Sequence, residues 1–274
     1  MTVHPSIQTY ADAWTHSVEA ISELVTPLAE GSWNLATPCY GWSVRDIVSH
    51  VIGLECEMLG DPRPIHSLPR DLYHVQTELQ RYMEVQVDVR RHHTSPEMTA
   101  ELEYTIIRRS RQLRNETRDP QTQVRGPLGN QEPLEEALRK RAFDVWVHEQ
   151  DLRTALDAPA NLDSPGAYVA RDLLISGLPK SIAKGAGAPA NSAVVFDVDG
   201  PVDFLRTVRI DAEGKGTVDN APSLGPAVTL ACDWETFYRL CCGRVRPGAV
   251  RDRLKVDGDQ DLAEAILQNL PMTP

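Results

Sequence analysis

No stretch of this chain approaches roughly 18 uncharged apolar residues, so a membrane-spanning helix is not expected. The first residues, MTVHPSIQTYADAW, carry neither a basic segment nor an apolar one. A secretory signal is therefore not expected, and the cytoplasm is the default location. Cysteine is scarce and odd in number: Cys39, Cys56, Cys232, Cys241 and Cys242, with no pair at CxxC spacing. A disulfide framework or a cysteine-type zinc site is excluded on that basis, and free, buried thiols are expected. Positive charge is in deficit. Lys+Arg number 28 against 39 Asp+Glu, a formal net charge of −11, which argues against a general nucleic-acid binder. A small anionic substrate stays compatible, because a local pocket can be basic inside an acidic protein. Internal repeats and low-complexity tracts are absent.

What is present is ordinary globular material. The 274 residues are 41% hydrophobic and 24% charged, enough for one large domain or two smaller ones. The first part of the chain carries helical signals almost throughout, and the part from about residue 190 carries strand signals with two short helices. The segment 157–167, DAPANLDSPGA, looks like a linker. We therefore expect two domains, 1–160 and 161–274. The first helix is expected from Pro5 to Glu30, on the stripe Tyr10, Trp14, Val18, Ile21, Val25 and Leu28, with Pro27 able to end it early. A second is capped by Ser43, with Asp46 reaching back to it. Helical patterns follow over 71–92 and 96–118, and a last helix of this half over 132–156, after a Gly/Pro loop at 126–129. Long amphipathic helices with short connections suggest a bundle. In the second half, strands are expected at Ala193–Val198, Phe204–Ile210, Ala227–Ala231 and Val250–Val256. Helices are expected at Trp234–Cys242, capped by Asp233, and at the C-terminal end. The order β-β-β-α-β-α reads as an α+β domain with its helices on one face of the sheet.

Three features suggest chemistry but do not sustain it. The GxG at Gly185–Gly187 has no strand before it and a proline after it, unlike a dinucleotide loop. The run Arg90-Arg91-His92-His93 reads as a solvated helix end. Cys241 and Cys242 face two directions on a helix and cannot chelate as a pair. The segment Arg141 to Asp151, RAFDVWVHEQD, is more informative. Asp144 and His148 are four residues apart, on one helix face, which is how a helix presents two ligands to one metal. The same spacing occurs at Asp12/His16 and Asp46/His50, so spacing alone does not decide. Asp144, however, is flanked by Phe143, Val145, Trp146 and Val147. A helix apolar on nearly every side is buried, and a buried carboxylate needs a partner, a metal or an arginine. His50 lies beside Ile47 and Leu54 and can meet Asp144 and His148 if the two helices pack together. Two histidines and a carboxylate form a common catalytic zinc set. A metal-free His–Asp hydrogen bond is the alternative.

The segment Thr37-Pro38-Cys39-Tyr40-Gly41-Trp42-Ser43-Val44-Arg45-Asp46-Ile47-Val48-Ser49-His50 resembles a signature of the DinB-like, mycothiol-dependent maleylpyruvate isomerase family. Trp146 to Arg153, WVHEQDLR, resembles its second signature. Cys242-Gly243-Arg244 and Val256-Asp257-Gly258-Asp259 are similar to the sterol-carrier-like domain of that family. The resemblance implies a DinB-like four-helix bundle followed by a small sterol-carrier-like α+β domain. It implies a divalent metal, zinc by preference, on His50, Asp144 and His148, with Asp144 where the family's isomerase has Glu. It implies mycothiol as thiol co-substrate and a small electrophilic substrate, with neither nucleic acid nor membrane as partner. A dication deprotonates a bound thiol. Thiolate addition to a conjugated alkene, rotation and loss of the thiol give cis–trans isomerisation; addition without loss gives S-transfer. Arg244 is a candidate contact for an anionic substrate or thiol headgroup. Arg45 either orients ligand or pairs with acidic neighbours. Trp42 is expected as a packing residue, Asp151 and Arg153 as separate ion pairs holding the helix end, and Glu149 as a weak general-base candidate. The same ligands would serve a hydrolase that activates water. A non-catalytic ligand-binding protein is the third possibility. Pocket shape is expected to depend on the segments 60–70 and 119–132.

Overall fold

The structure, a computed structural model, describes residues 3–126 and 129–273 and divides into two compact units, the first ending at Val169 and the second beginning at Ala170. Helix α1 runs Pro5–Val25 and buries Ile7, Trp14, Val18, Ile21 and Val25 along one stripe. It stops short of the expected Glu30 because Pro27 has no N–H to continue the ladder and disfavours helical geometry at the residue before it. A 3-10 turn over Glu30–Asn34 buries Trp33. Helix α2, Val44–Met58, begins at the expected cap: Ser43 N donates to Asp46 Oδ2 at 2.9 Å, and Asp46 N donates to Ser43 Oγ at 3.3 Å.

Helix α3 is shorter than its pattern, Glu78–Asp88, since a capping box between Thr77 and Gln80 fixes its start and leaves 71–77 as loop. Helix α4 spans Ser95–Arg114, with Pro96 in its first turn. A short antiparallel hairpin, β1 Gln123–Arg125 and β2 Gln131–Pro133, occupies the segment expected to be loop. Pro127 and Leu128, part of the expected loop at 126–129, lie outside the described residues. Helix α5, Leu134–Ala155, is buried on nearly every side, as Phe143, Val145, Trp146 and Val147 require.

Helix α1 packs on α4 and α5, and α2 packs on the same two, so these helices close a four-membered ring of neighbours with α3 against the outer side of α2. This is the bundle that the apolar stripes demand. Close approach of α2 and α3 depends on Gly53: a Cβ there would stand 2.4 Å from Gln86 Cβ. Inside the ring sits a carboxylate. Glu55 of α2 accepts from Trp14 Nε1 of α1 at 2.8 Å, Arg109 Nε of α4 at 3.0 Å and Arg141 Nε of α5 at 2.8 Å.

Helix α6, Pro165–Lys180, begins within the expected linker and continues into a π-helical turn at Ser181–Gly185. The second unit contains a five-stranded sheet in the order β5-β4-β3-β6-β7. Its strands are β3 Ala193–Asp199, β4 Phe204–Ile210, β5 Gly216–Asp219, β6 Val228–Asp233 and β7 Lys255–Gly258. The β3/β6 pair is parallel and the others antiparallel. Strand β5 was not expected. The expected strand at Val250 begins only at Lys255, because Pro247–Arg253 forms 3-10 turns. Helix α7, Trp234–Cys241, takes the expected cap, Thr236 N donating to Asp233 Oδ1 at 2.7 Å, and α8 runs Gln260–Asn269. Strand β3 buries Val194, Val195, Phe196 and Val198 and exposes Asp197 and Asp199, so only its second half alternates as in a sheet covered on one face. The helical-then-α+β class read from the sequence is the class observed. Among the described residues no disulfide forms; Cys241 and Cys242 are buried and the other cysteines half-buried. Among the described residues no helix is long and apolar enough to cross a membrane.

Replacing Glu55 by Ala strands two buried guanidinium groups. We expect Glu55→Ala to lose about 3–5 kcal/mol in urea unfolding followed by circular dichroism. A loss below about 1 kcal/mol would show that the buried pairs contribute little.

Candidate metal centre

The capping box that starts α2 also sets its rotation, placing Asp46, His50, Gly53 and Glu57 along one stripe at spacings of four, three and four. On α5, Asp144 and His148 share a face. The two helices pack side by side, and His50, Asp144 and His148 each offer a ligand atom within 4.8 Å of the others. His50 Nε2 stands 3.2 Å from Asp144 Oδ2, and His148 Nε2 stands 3.5 Å from Asp144 Oδ1. Ligands about 2.05 Å from a tetrahedral ion lie about 3.3 Å from each other, so these separations fit a shared cation.

The hydrogen bonds around the site decide more than the distances do. Asp151 Oδ2 lies 3.1 Å from His148 Nδ1. An imidazole that donates Nδ1–H to a carboxylate presents a bare lone pair at Nε2. That lone pair faces the carboxylate of Asp144, and two acceptors face each other unless a positive charge lies between them. The titration behaviour carries the same sign. Burial lowers the affinity of His148 for a proton, yet Asp144 and Asp151 outweigh it and hold its pKa above the ordinary histidine value. Burial dominates at His50 and holds its pKa below that value. Burial alone would raise Asp144, but Arg141, His148 and His50 together hold it well below the usual carboxylate range. The site therefore consists of an ionised carboxylate, an imidazole whose proton affinity is lowered and an imidazole whose proton affinity is raised.

Access is one-sided. The side chains of His50 and His148 are 4% and 5% exposed, whereas that of Asp144 is 34% exposed. Asp144, expected as a buried carboxylate, is only half-buried, and the fully buried Arg141 bridges to it from Glu55. Arg141 and His50 both engage Oδ2 of Asp144, while Oδ1 faces His148.

The other candidates separate clearly. Arg45 takes the pairing alternative: it is buried, bonded to Glu30 and to the carbonyl of His93, and its guanidinium lies 5.6 Å from the Trp33 ring. Arg244 lies in the second unit just beyond α7, with Nη1 donating to the carbonyl of Cys242 at 2.8 Å. Glu149 is buried, and its Oε1 accepts from Arg153 and Asn161, each at 2.8 Å. Asp12 accepts from Gln8, and Asp46 accepts from Arg91 at 3.1 Å. Asp151 is 3% exposed and forms a local pair with His148, one helical turn back, separate from the Arg153–Glu149 pair. Its i+3 spacing from His148 was the available signal. The charged run at 90–93 is also not a purely solvated end. Arg90 is buried against Glu101 of α4, and Arg91 joins Asp46, Glu84 and Asp88. Trp42, expected only to pack at a helix start, has its ring centroid 4.9 Å from that of His50 and 5.9 Å from that of His148. No local pattern announces that contact, because it crosses from a turn to α5.

The flanking segments are pinned. Asp61 accepts two bonds from Arg108 at 2.6 Å each, and Arg63 lies 3.4 Å from the centroid of the Tyr82 ring while pairing with Glu57.

If Asp151 orients His148, Asp151→Asn should weaken divalent-metal binding by about 10–100-fold in a competitive chelator titration while the melting temperature changes little. Unchanged affinity would remove Asp151 from the site.

Comparison with known proteins adds an independent finding. Residues 14–153 match the family model described as the mycothiol maleylpyruvate isomerase N-terminal domain, and residues 169–265 match the MDMPI C-terminal domain. Among solved structures, a histidine-to-alanine mutant of the mycothiol-dependent maleylpyruvate isomerase superposes with TM-score 0.58 at 17% identity, covering 94% of this chain and 96% of that one. The unmutated form of that isomerase gives TM-score 0.55 at the same identity and coverage. A sterol carrier protein domain of Helicoverpa armigera gives TM-score 0.29 at 21% identity, over 38% of this chain and 85% of that one. The comparison with curated proteins finds no match.

Proposed function

Since the chain belongs to the mycothiol maleylpyruvate isomerase family, we propose that it is a mycothiol-dependent enzyme holding one divalent cation, zinc by preference, on His50, Asp144 and His148. The reaction we assign is thiol-assisted cis–trans isomerisation of a small conjugated acid of the maleylpyruvate type, or S-transfer to such an electrophile. The observation that supports this most is the convergence of His50, Asp144 and His148 within 4.8 Å of one another, with Asp151 3.1 Å from the far ring nitrogen of His148. That donor set asks for a cation and matches the two-imidazole, one-carboxylate pattern of an open zinc site.

A divalent cation held there supplies Lewis acidity, which draws a thiol with a free pKa of about 8.5 toward the thiolate. The residues around it divide the remaining work. His50 contributes a ring nitrogen, and Asp144 contributes the single negative charge among the ligands. Asp151 fixes which nitrogen of His148 faces the site. Arg141 holds Oδ2 of Asp144 and keeps that carboxylate ionised. Burial of both imidazoles excludes water from their side, so co-substrate approaches over the exposed edge of Asp144. Addition of the thiolate sulfur to the conjugated alkene leaves a single bond free to rotate. Expulsion of the sulfur then restores the alkene in its other geometry and returns the thiol.

Elemental analysis of the purified protein beside His148→Ala tests the centre. We expect about one zinc, nickel or similar ion per chain in the parent and much less in the variant, one of three ligands being gone. Assays with maleylpyruvate test the chemistry, and turnover is expected only with added mycothiol. Equal metal in both proteins, or turnover at full rate without thiol, overturns the proposal.

A further inference from the structure

Trp42 is placed by a tightly built turn. Thr37 Oγ1 donates to the carbonyl of Trp42 at 2.9 Å, and Trp42 N donates to the carbonyl of Cys39 at 3.0 Å. Gly41 has φ +85°, and the His74 side chain fills the space a Cβ would need, 2.4 Å away. A larger residue at 41 would push His74 off the turn. The indole N–H donates to Glu84 Oε2 at 3.0 Å. That acceptor is itself fixed: the Glu84 side chain is 1% exposed, its other oxygen pairs with Arg91, and His74 Nε2 lies 3.0 Å from Oε2. The indole edge is thus tied to α3.

The ring so held meets both imidazoles of the candidate centre, tilted 42° to His50 and 38° to His148. The two imidazoles are themselves 4.9 Å apart at 73°. Three aromatic rings thus stand together, and Asp144 is the member of the centre with an exposed edge. Packing three rings together removes the room that added water ligands would occupy. An imidazole packed against an indole face also has less freedom to rotate about its own bonds than one facing solvent.

Resting on the metal-centre reading above, we infer that Trp42 is a positioning residue that limits the centre to a low coordination number, leaving one open position on the Asp144 side for the thiol sulfur. A four-coordinate dication with a single exchangeable position binds one thiolate in a defined place; a site that admits extra waters does not.

Cobalt(II) substituted into the intact protein reads this directly through its visible d–d absorption, which is strong in four-coordinate and weak in five- or six-coordinate sites. With cobalt content fixed by elemental analysis, the parent should absorb strongly. Trp42→Ala should lose about threefold or more of that intensity as waters enter. Trp42→Phe, which keeps a ring and loses only the bond to Glu84, should retain most of it and guards against an alanine variant that fails to fold. Full intensity in Trp42→Ala overturns the inference and leaves the metal centre standing. An equal loss in Trp42→Phe and Trp42→Ala overturns it too, by assigning the effect to the indole N–H instead of the ring. A parent that binds no cobalt overturns the metal-centre reading itself, and the role of Trp42 with it.

Discussion

The carboxylate of Glu55 is the interaction on which the first unit turns. One side chain on α2 receives a donor from each of α1, α4 and α5, so every helix of the ring has a bond to its centre. Two of those donors are guanidinium groups that could not stay in an apolar interior without it. Arg141 carries the same network to Asp144. The carboxylate at the candidate centre is therefore held through the core of the bundle, and its register with His50 follows from how α2 and α5 pack. A functional side chain placed in this way sits on rigid elements, as a site needing ångström accuracy requires.

The balance of charge is informative beside this. The chain is strongly acidic overall, yet Arg45, Arg90, Arg109 and Arg141 are all nearly or fully buried. Each meets a carboxylate: Glu30, Glu101, Glu55, and Glu55 with Asp144. Arginine suits such places because its planar fork makes directed bonds and its charge is weakly hydrated for its size. The Arg109 and Arg141 pairs with Glu55 join different helices, the Arg90 pair joins the turn after α3 to α4, and the Arg45 pair joins α2 to the 3-10 turn before it. Geometry between elements is thus fixed by directed pairs in addition to apolar packing.

The sequence showed clearly what depends on local rules. The Ser43/Asp46 cap, the stripe of α1, the Asp233 cap and the Asp144/His148 spacing all concern residues within a turn or two of each other, and all stand in the structure. His50 needed one further assumption, that two helices pack together. Features set by tertiary contact were illegible. Strand β5 is four residues long and exists because β4 offers it an edge. The β1/β2 hairpin is shorter still. Helix α6 was hidden by a Pro/Ala/Asp-rich entry that reads as linker. Trp42 looked like a packing residue because its two imidazole contacts come from helices whose approach no window of sequence contains.

The separations spanned by Glu55 have a consequence for how the bundle forms. Its three partners lie 41, 54 and 86 residues away along the chain. Any partly assembled intermediate that docks α2 without α5 must bury a guanidinium or a carboxylate incompletely matched, which raises its free energy above both end states. Such long-range pairing favours cooperative assembly of this unit.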